Sequence, residues 1–65
     1  MTLVEIKRAV ADGLTVCWCS KNYRVIRDSI SEYLIRCENN GDCIALTWTD
    51  GETLNGRESE FFVVN

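Results

Sequence analysis

Apolar and polar side chains alternate most clearly in LTVCWC, residues 14–19. In an extended chain, Leu14, Val16 and Trp18 lie on one side, and the residues between them lie on the other. This period of two predicts a β-strand, and we expect the side that carries Leu14, Val16 and Trp18 to face the core.

Four further runs downstream of this strand are rich in β-branched and aromatic residues and are separated by Gly, Asn, Asp and Ser. They predict strands at residues 22–28, 32–37, 43–49 and 60–64. The links between consecutive strands are mostly short, which favours antiparallel neighbours. Two of the strands carry adjacent apolar residues, as expected for a strongly bent sheet that is covered by a helix on one side.

A helix is predicted upstream of the first strand. Thr2 and Glu5 have the spacing of a capping box, in which each side chain accepts a hydrogen bond from the other residue's amide. Leu3, Ile6 and Val10 then form one apolar stripe, and Gly13 is a residue type that commonly ends helices. We therefore expect a helix at about residues 3–12.

These elements predict one α+β domain that spans residues 1–65. Its N-terminal helix packs on a five-stranded, strongly curved antiparallel sheet or on a small SH3-like barrel. A chain of 65 residues buries only about 60% of the surface of its unfolded form. So thin a core leaves little room for an enclosed cavity, which favours function at an exposed surface.

The composition predicts a cytoplasmic protein that does not enter a membrane. Residues 1–8 carry charges where an export signal needs an apolar run. The longest uncharged stretch, residues 13–20, is far too short to cross a bilayer.

No catalytic constellation is visible. The chain contains no histidine, and no serine or cysteine lies in a recognisable nucleophile motif. We therefore predict that the protein is not an enzyme and that it needs no cofactor.

Four cysteines, Cys17, Cys19, Cys37 and Cys43, leave three interpretations open. A structural zinc site would need all four thiolates, but the single residue between Cys17 and Cys19 departs from the usual C-x₂₋₄-C spacing. Cys37 and Cys43 flank a predicted hairpin turn and could face each other, although a reducing cytoplasm disfavours a permanent disulfide. Buried structural thiols are the favoured interpretation, and zinc is the least favoured function.

Nucleic-acid binding is the main alternative function. Lys21, Tyr23, Arg24 and Arg27 fall within seven residues and would form a basic strand with a stacking ring. The net charge of -3 argues against it, because such proteins usually attract phosphates with a positive field.

The favoured function is a non-catalytic protein-interaction module, either monomeric or homodimeric. The longest link, residues 50–59, contains two turn dipeptides and several charges, which is typical of a contact loop. The candidate partner-binding residues in it are Asp50, Glu52, Asn55, Arg57 and Glu58.

The whole pattern over about residues 11–62 resembles small uncharacterised proteins that are encoded by phages and prophages. The residues that carry the resemblance are Ala11-Asp12-Gly13, Val16, Trp18, Tyr23-Arg24-Val25-Ile26, Tyr33-Leu34-Ile35, Cys37, Asn40-Gly41, Leu46-Thr47-Trp48-Thr49-Asp50-Gly51, Leu54-Asn55-Gly56 and Phe61-Phe62. It implies a phage or prophage accessory protein that binds a host protein, and it brings no known activity or ligand.

Overall fold

The structure, a computed structural model, describes residues 1–30 and 32–64. The predicted domain of residues 1–65 also includes Ser31 and Asn65, which lie outside the described residues. The described chain forms one N-terminal helix and a five-stranded antiparallel sheet, so the predicted α+β fold is confirmed.

Helix α1 spans Leu3–Ala11 and begins at the predicted capping box. The Thr2 amide donates to Glu5 Oε1 at 2.8 Å, and the Glu5 amide donates to Thr2 Oγ1 at 3.2 Å. The helix ends one residue earlier than predicted because Asp12 is its C-cap. Gly13 then turns the chain with a φ of +84°, a conformation that a residue without a Cβ adopts readily.

The strands follow the predicted order with small changes at their ends. Their bounds are β1 Thr15–Trp18, β2 Ser20–Arg27, β3 Tyr33–Cys37, β4 Cys43–Ala45 and β5 Phe61–Val64. The order across the sheet is β4-β3-β2-β1-β5, and every neighbouring pair is antiparallel. The pairing of β1 with β2 shifts register between Cys17 and Trp18, and such a bulge bends a sheet locally.

The sheet is open, so the alternative of an SH3-like barrel is wrong. Closure would require β4 to pair with β5, but within the described ranges these two strands are the edges of the sheet. The cause lies in β4, which ends at Ala45 and not at residue 49 as predicted. Leu46 turns into the core, and the Trp48 amide donates to the Thr53 carbonyl at 2.8 Å. The Leu46 amide still donates to the Tyr33 carbonyl of β3 at 3.1 Å, and from Thr47 onward the backbone pairs within its own loop.

The core lies between α1 and one face of the sheet, which we call the inner face. The helix contributes Ile6 and Ala9, and the loop after β4 contributes Leu46. The strand residues that share this core are Val16, Val25, Ile35 and Phe61. Two of the three residues predicted to face the core from residues 14–19 therefore do so, because Val16 is fully buried and Trp18 packs against the cluster.

Leu14 is the exception. It remains 48% exposed because it precedes β1 and belongs to the link from the helix, where its amide donates to the Ala9 carbonyl at 3.0 Å. The apolar alternation therefore runs one residue beyond the strand.

The segment that returns the chain from β4 to β5 packs on Trp18. The indole Nε1 of Trp18 donates to Glu60 Oε1 at 3.3 Å, and the Arg57 amide donates to the same oxygen at 2.9 Å. The Cys19 amide donates to the Glu60 carbonyl at 2.9 Å. Glu60 thereby joins the end of the loop to the turn between β1 and β2.

Gly56 lies against this tryptophan, and we predict that Gly56→Ala destabilises the fold by roughly 2–4 kcal/mol. A Cβ at this position would lie 2.7 Å from Trp18 Nε1, and the φ of +144° is strained for any other residue. Gly41→Ala is the matched control, because its φ of +76° is also positive but nothing lies within 4 Å of its Cβ. The control should cost about 1 kcal/mol in urea unfolding, and equal losses would contradict the predicted clash.

The Glu60 contacts also predict how stability depends on pH. The hydrogen bond from the Arg57 amide, followed by those from Trp18 and Cys19, holds the pKa of Glu60 below its ordinary value of 4.5. A carboxyl group whose pKa is lowered by folding stabilises the protein above its ordinary pKa, and this contribution disappears as pH falls through the lowered value. Urea midpoints should therefore fall below pH 4.5, and Glu60→Gln should flatten that fall. Glu58→Gln, whose side chain makes no hydrogen bond to the described residues, should leave it unchanged.

Candidate interaction surface

The second face of the sheet, which we call the outer face, has no layer packed on it. Helix α1 contacts β1 and β2 through the inner face, and the hydrophobic cluster contains side chains of that face only. Side chains alternate between the faces of a strand, so the outer face carries the residues between the core positions. Neither α1 nor the hydrophobic cluster lies over them.

One row of outer-face residues crosses the whole sheet, and we call it the basic row. Each member is the direct cross-strand partner of the next. In order from β4 to β5, the row is Cys43, Arg36, Arg24, Cys17 and Phe62. Four interstrand spacings of about 4.8 Å make it about 19 Å long.

A second row runs beside the first, and we call it the apolar row. It consists of Ala45, Leu34, Ile26, Thr15 and Val64, one from each strand. Ala45 is exposed and the other four are half-buried. Four of the five members are apolar and Thr15 is polar, so the row and Phe62, which is 36% exposed, form an apolar area on both sides of Thr15 next to the arginines.

Arg24 and Arg36 face each other directly across β2 and β3. Like charges in directly opposed positions destabilise a sheet unless something neutralises them. Within the described residues, neither guanidinium forms an ion pair or a hydrogen bond. The two cations are therefore available to an external anion.

The charge of the outer face differs in sign from that of the chain. The net charge is -3, yet among the described residues no acidic side chain lies in any of the five strands. The acids are in α1, its cap, the turns and the loop after β4. The outer face thus presents arginines in the middle, with carboxylates confined to the surrounding segments.

Cys17 lies in the basic row and is only 2% exposed. Burial raises the pKa of its thiol, while the nearby charges of Arg24 and Lys21 act in the opposite direction and Glu38 reinforces the rise. Arg24 therefore borders a desolvated position, where hydrogen bonds to a charged group are stronger than in open water.

A groove of about 360 Å³ lies at another place, between α1, the start of β3 and the loop after β4. Trp48, at 64% exposure, and Tyr33 form its aromatic walls, and the Nζ of Lys7 lies 5.5 Å from the centre of the Tyr33 ring. This groove is the second exposed surface that can contact a ligand.

The loop residues that the sequence predicts as partner contacts divide into two groups. Asp50 accepts hydrogen bonds from the Glu52 and Thr53 amides at 2.9 Å, and Asn55 donates from Nδ2 to the Ala45 carbonyl at 3.2 Å. These two side chains hold the loop in shape. Glu52, Arg57 and Glu58 are exposed, and a contact role for the group stays a prediction.

The residues predicted to bind nucleic acid do not lie on one surface. Tyr23 points to the inner face, where its ring meets Trp18 edge-on with centroids 5.4 Å apart, whereas Arg24 points outward. Arg27 lies three residues from Arg24 and so points to the other face. Lys21 lies within the shifted stretch of β2, between Ser20 and Arg24, and its charge acts to lower the pKa of Cys17.

Arg36 is the residue that sequence reasoning missed. Its position in β3 carries no motif, and only the register that pairs it with Arg24 makes it part of the surface.

The four thiols are separated in the structure, and the favoured interpretation of buried thiols is wrong for Cys19 and Cys43, which are exposed, whereas Cys17 is buried and Cys37 is half-buried. Cys43 pairs with Arg36 and points outward, so the neighbouring Cys37 points to the inner face and the two cannot face each other as expected. Cys19 lies in the turn between β1 and β2 with a φ of +62°. Across residues 1–30 and 32–64, no three side chains of the types that bind metal ions come together.

Comparison with known proteins finds no protein family, no curated protein and no solved structure that matches this chain. Within the described ranges, no helix combines the length and apolar character needed to cross a membrane. The function is therefore argued from the surfaces described above.

The contact between Cys19 and Glu60 predicts a thiol that reacts slowly although it is exposed. Partial desolvation and the adjacent Glu60 carboxylate, which accepts a hydrogen bond from the thiol at 3.6 Å, raise the pKa of Cys19. Because the thiolate is the reactive form, Glu60→Gln should speed alkylation of Cys19 by iodoacetamide at pH 8 roughly two- to fivefold. Site-resolved mass spectrometry measures the rate, and Glu58→Gln is the control. An unchanged rate in Glu60→Gln would refute the role of the carboxylate.

Proposed function

We propose that this chain is a non-catalytic protein-interaction module that binds its partner through the outer face of the sheet. The observation that carries the proposal is the apolar row lying beside two unpartnered arginines on a face that no described element covers. Exposed apolar side chains next to charged ones are characteristic of protein contact surfaces.

Phe62 and Leu34 are the side chains best placed to anchor a partner. Phe62 is partly exposed at the β5 end of the basic row, and Leu34 is half-buried near the middle of the apolar row. Large side chains at the centre of a desolvated patch usually dominate binding energy, while the rim excludes water. Leu34 lies one strand from the centre of the sheet, and Phe62 lies on edge strand β5, where its ring is the largest apolar side chain of the outer face.

The sequence resemblance supports a more specific proposal, in which the chain is a phage or prophage accessory protein that acts on a host protein in the bacterial cytoplasm. This part of the proposal rests on the resemblance alone.

Nucleic-acid binding is the second candidate, because the adjacent Arg24 and Arg36 with Phe62 offer two cations and one ring. Single-strand binding usually relies on several stacking rings, and the outer-face strand positions described above include one aromatic residue. The experiment below separates the two candidates.

The test is capture of partners by the tagged protein from a lysate of the cells that encode it, in nuclease-treated and untreated halves. Phe62→Thr and Leu34→Thr should each reduce the recovered protein partner more than tenfold, because they remove two of the largest apolar contacts of the proposed surface. Loss of all captured material on nuclease treatment would instead support nucleic-acid binding.

Matched controls replace apolar side chains elsewhere that are more exposed than Phe62 and Leu34. Val4 on α1 is 73% exposed and Ile30 in the turn after β2 is 72% exposed, so Val4→Thr and Ile30→Thr should leave capture unchanged. Trp48→Ser tests the groove beside α1. If Trp48→Ser abolishes capture while Phe62→Thr and Leu34→Thr preserve it, the outer face is not the binding surface. Urea unfolding of each variant confirms that it remains folded.

A further inference from the structure

We infer that the outer face binds an acidic segment of a partner polypeptide, whose carboxylates bind Arg24 and Arg36 while adjacent aliphatic side chains pack on the apolar row. The inference rests on the proposed function and specifies the chemistry of the partner.

The arginine pair accounts for the carboxylates. Directly opposed side chains in an antiparallel sheet have Cβ atoms about 5 Å apart, so one carboxylate between the two guanidiniums accepts hydrogen bonds from both. Such binding removes the repulsion between the cations, and neither arginine loses a contact within the described chain. Both arginines project from paired central strands, so their backbone positions are already ordered before binding.

The surroundings of Arg24 strengthen this contact. Its neighbour in the basic row, Cys17, is 2% exposed, and the next member is the ring of Phe62. Charge-assisted hydrogen bonds at the border of a desolvated patch are stronger than those between fully solvated groups.

The apolar row favours a polypeptide over a nucleic acid. Leu34, Ile26 and Val64 are aliphatic and suit Leu, Ile or Val side chains, whereas bases stack on aromatic rings. A long polyanion would also pass the acids of the turns around the sheet, and these repel phosphates. A segment with a few carboxylates between aliphatic residues avoids both conflicts.

A second copy of this chain is a poor occupant of the same face. Face-to-face packing would set arginines against arginines or against the apolar row, because the described strands supply no acidic residue. Charges left unpaired on burial oppose association strongly.

The dimensions of the face favour a short segment. The rows are about 19 Å long, which a helix of about 13 residues or an extended chain of about 6 residues spans. A standard interface between globular proteins covers roughly 800 Å² on each partner, which is more area than two short rows of side chains provide.

The test is selection of binders from a displayed random 12-residue peptide library on the whole protein. Peptides selected on the wild-type protein should be enriched about threefold or more in Asp and Glu next to Leu, Ile or Val. Selection on the double variant Arg24→Gln, Arg36→Gln should lose the acidic enrichment and keep the aliphatic one. Arg8→Gln, which removes one exposed positive charge from α1, is the control and should keep both.

One selected peptide then gives the affinity measurement. Its binding to the double variant should be about tenfold or more weaker than to the wild type, and replacing its acids with Gln should have the same effect. The backbone amide signals of residues 24, 26, 34 and 36 should shift on titration, with the groove at Trp48 unaffected.

The outcomes separate failure of the inference from failure of the proposed function. Peptides that bind this face without acidic enrichment, or equally well to the double variant, would overturn the inference and leave the interaction module intact. If no selected peptide loses its binding in Phe62→Thr or Leu34→Thr, both the inference and the proposed function are overturned. Tighter binding of a 12-nucleotide single-stranded DNA than of the selected peptides, lost in the double variant, would assign the face to nucleic acid.

Discussion

The register between β2 and β3 determines both sides of this domain. It pairs Val25 with Ile35 under the helix, and the same alignment places Arg24 opposite Arg36 on the other side. A slip of one residue would move every side chain of a strand to the opposite face. The core would then bury an arginine, whose desolvation is far more costly than the loss of an apolar contact. Burial of Val25 and Ile35 therefore maintains the arginine pair even though the two cations repel each other.

The described elements cover only one face of the sheet. Helix α1 has 9 residues and covers the inner face together with Leu46 and Leu54 of the long loop. The described residues include no second helix of that length to cover the outer face. An antiparallel sheet tolerates one solvated face, but its solvated residues are usually polar. Here the apolar row lies on that face, which is the feature that binding of a partner explains.

The loop after β4 has a structural part, while its predicted role as a contact loop stays a prediction. Its turn dipeptides and charges are typical of a mobile contact loop, yet Asp50 and Asn55 use their side chains to order it. Leu46 anchors its start in the core, and Gly56 near its end lies against Trp18. The loop thus completes the inner layer. The contact surface that we propose lies on the opposite side of the sheet, where the arginines are.

The sequence by itself determined the elements, because local rules govern them. The capping box at Thr2 and Glu5, the turn at Gly13 and the alternation around Val16 each depend on a few neighbouring residues, and the structure confirms them. Tertiary structure alone decided that the sheet stays open, since β4 is shortened by the pairing of Thr47 with Leu54 within the loop. It also decided the candidate surface, because Arg36 joins Arg24 only through pairing between strands. Net charge and local motifs depend on which residues the chain contains and on how they are spaced. A surface depends on which residues the strand register brings together.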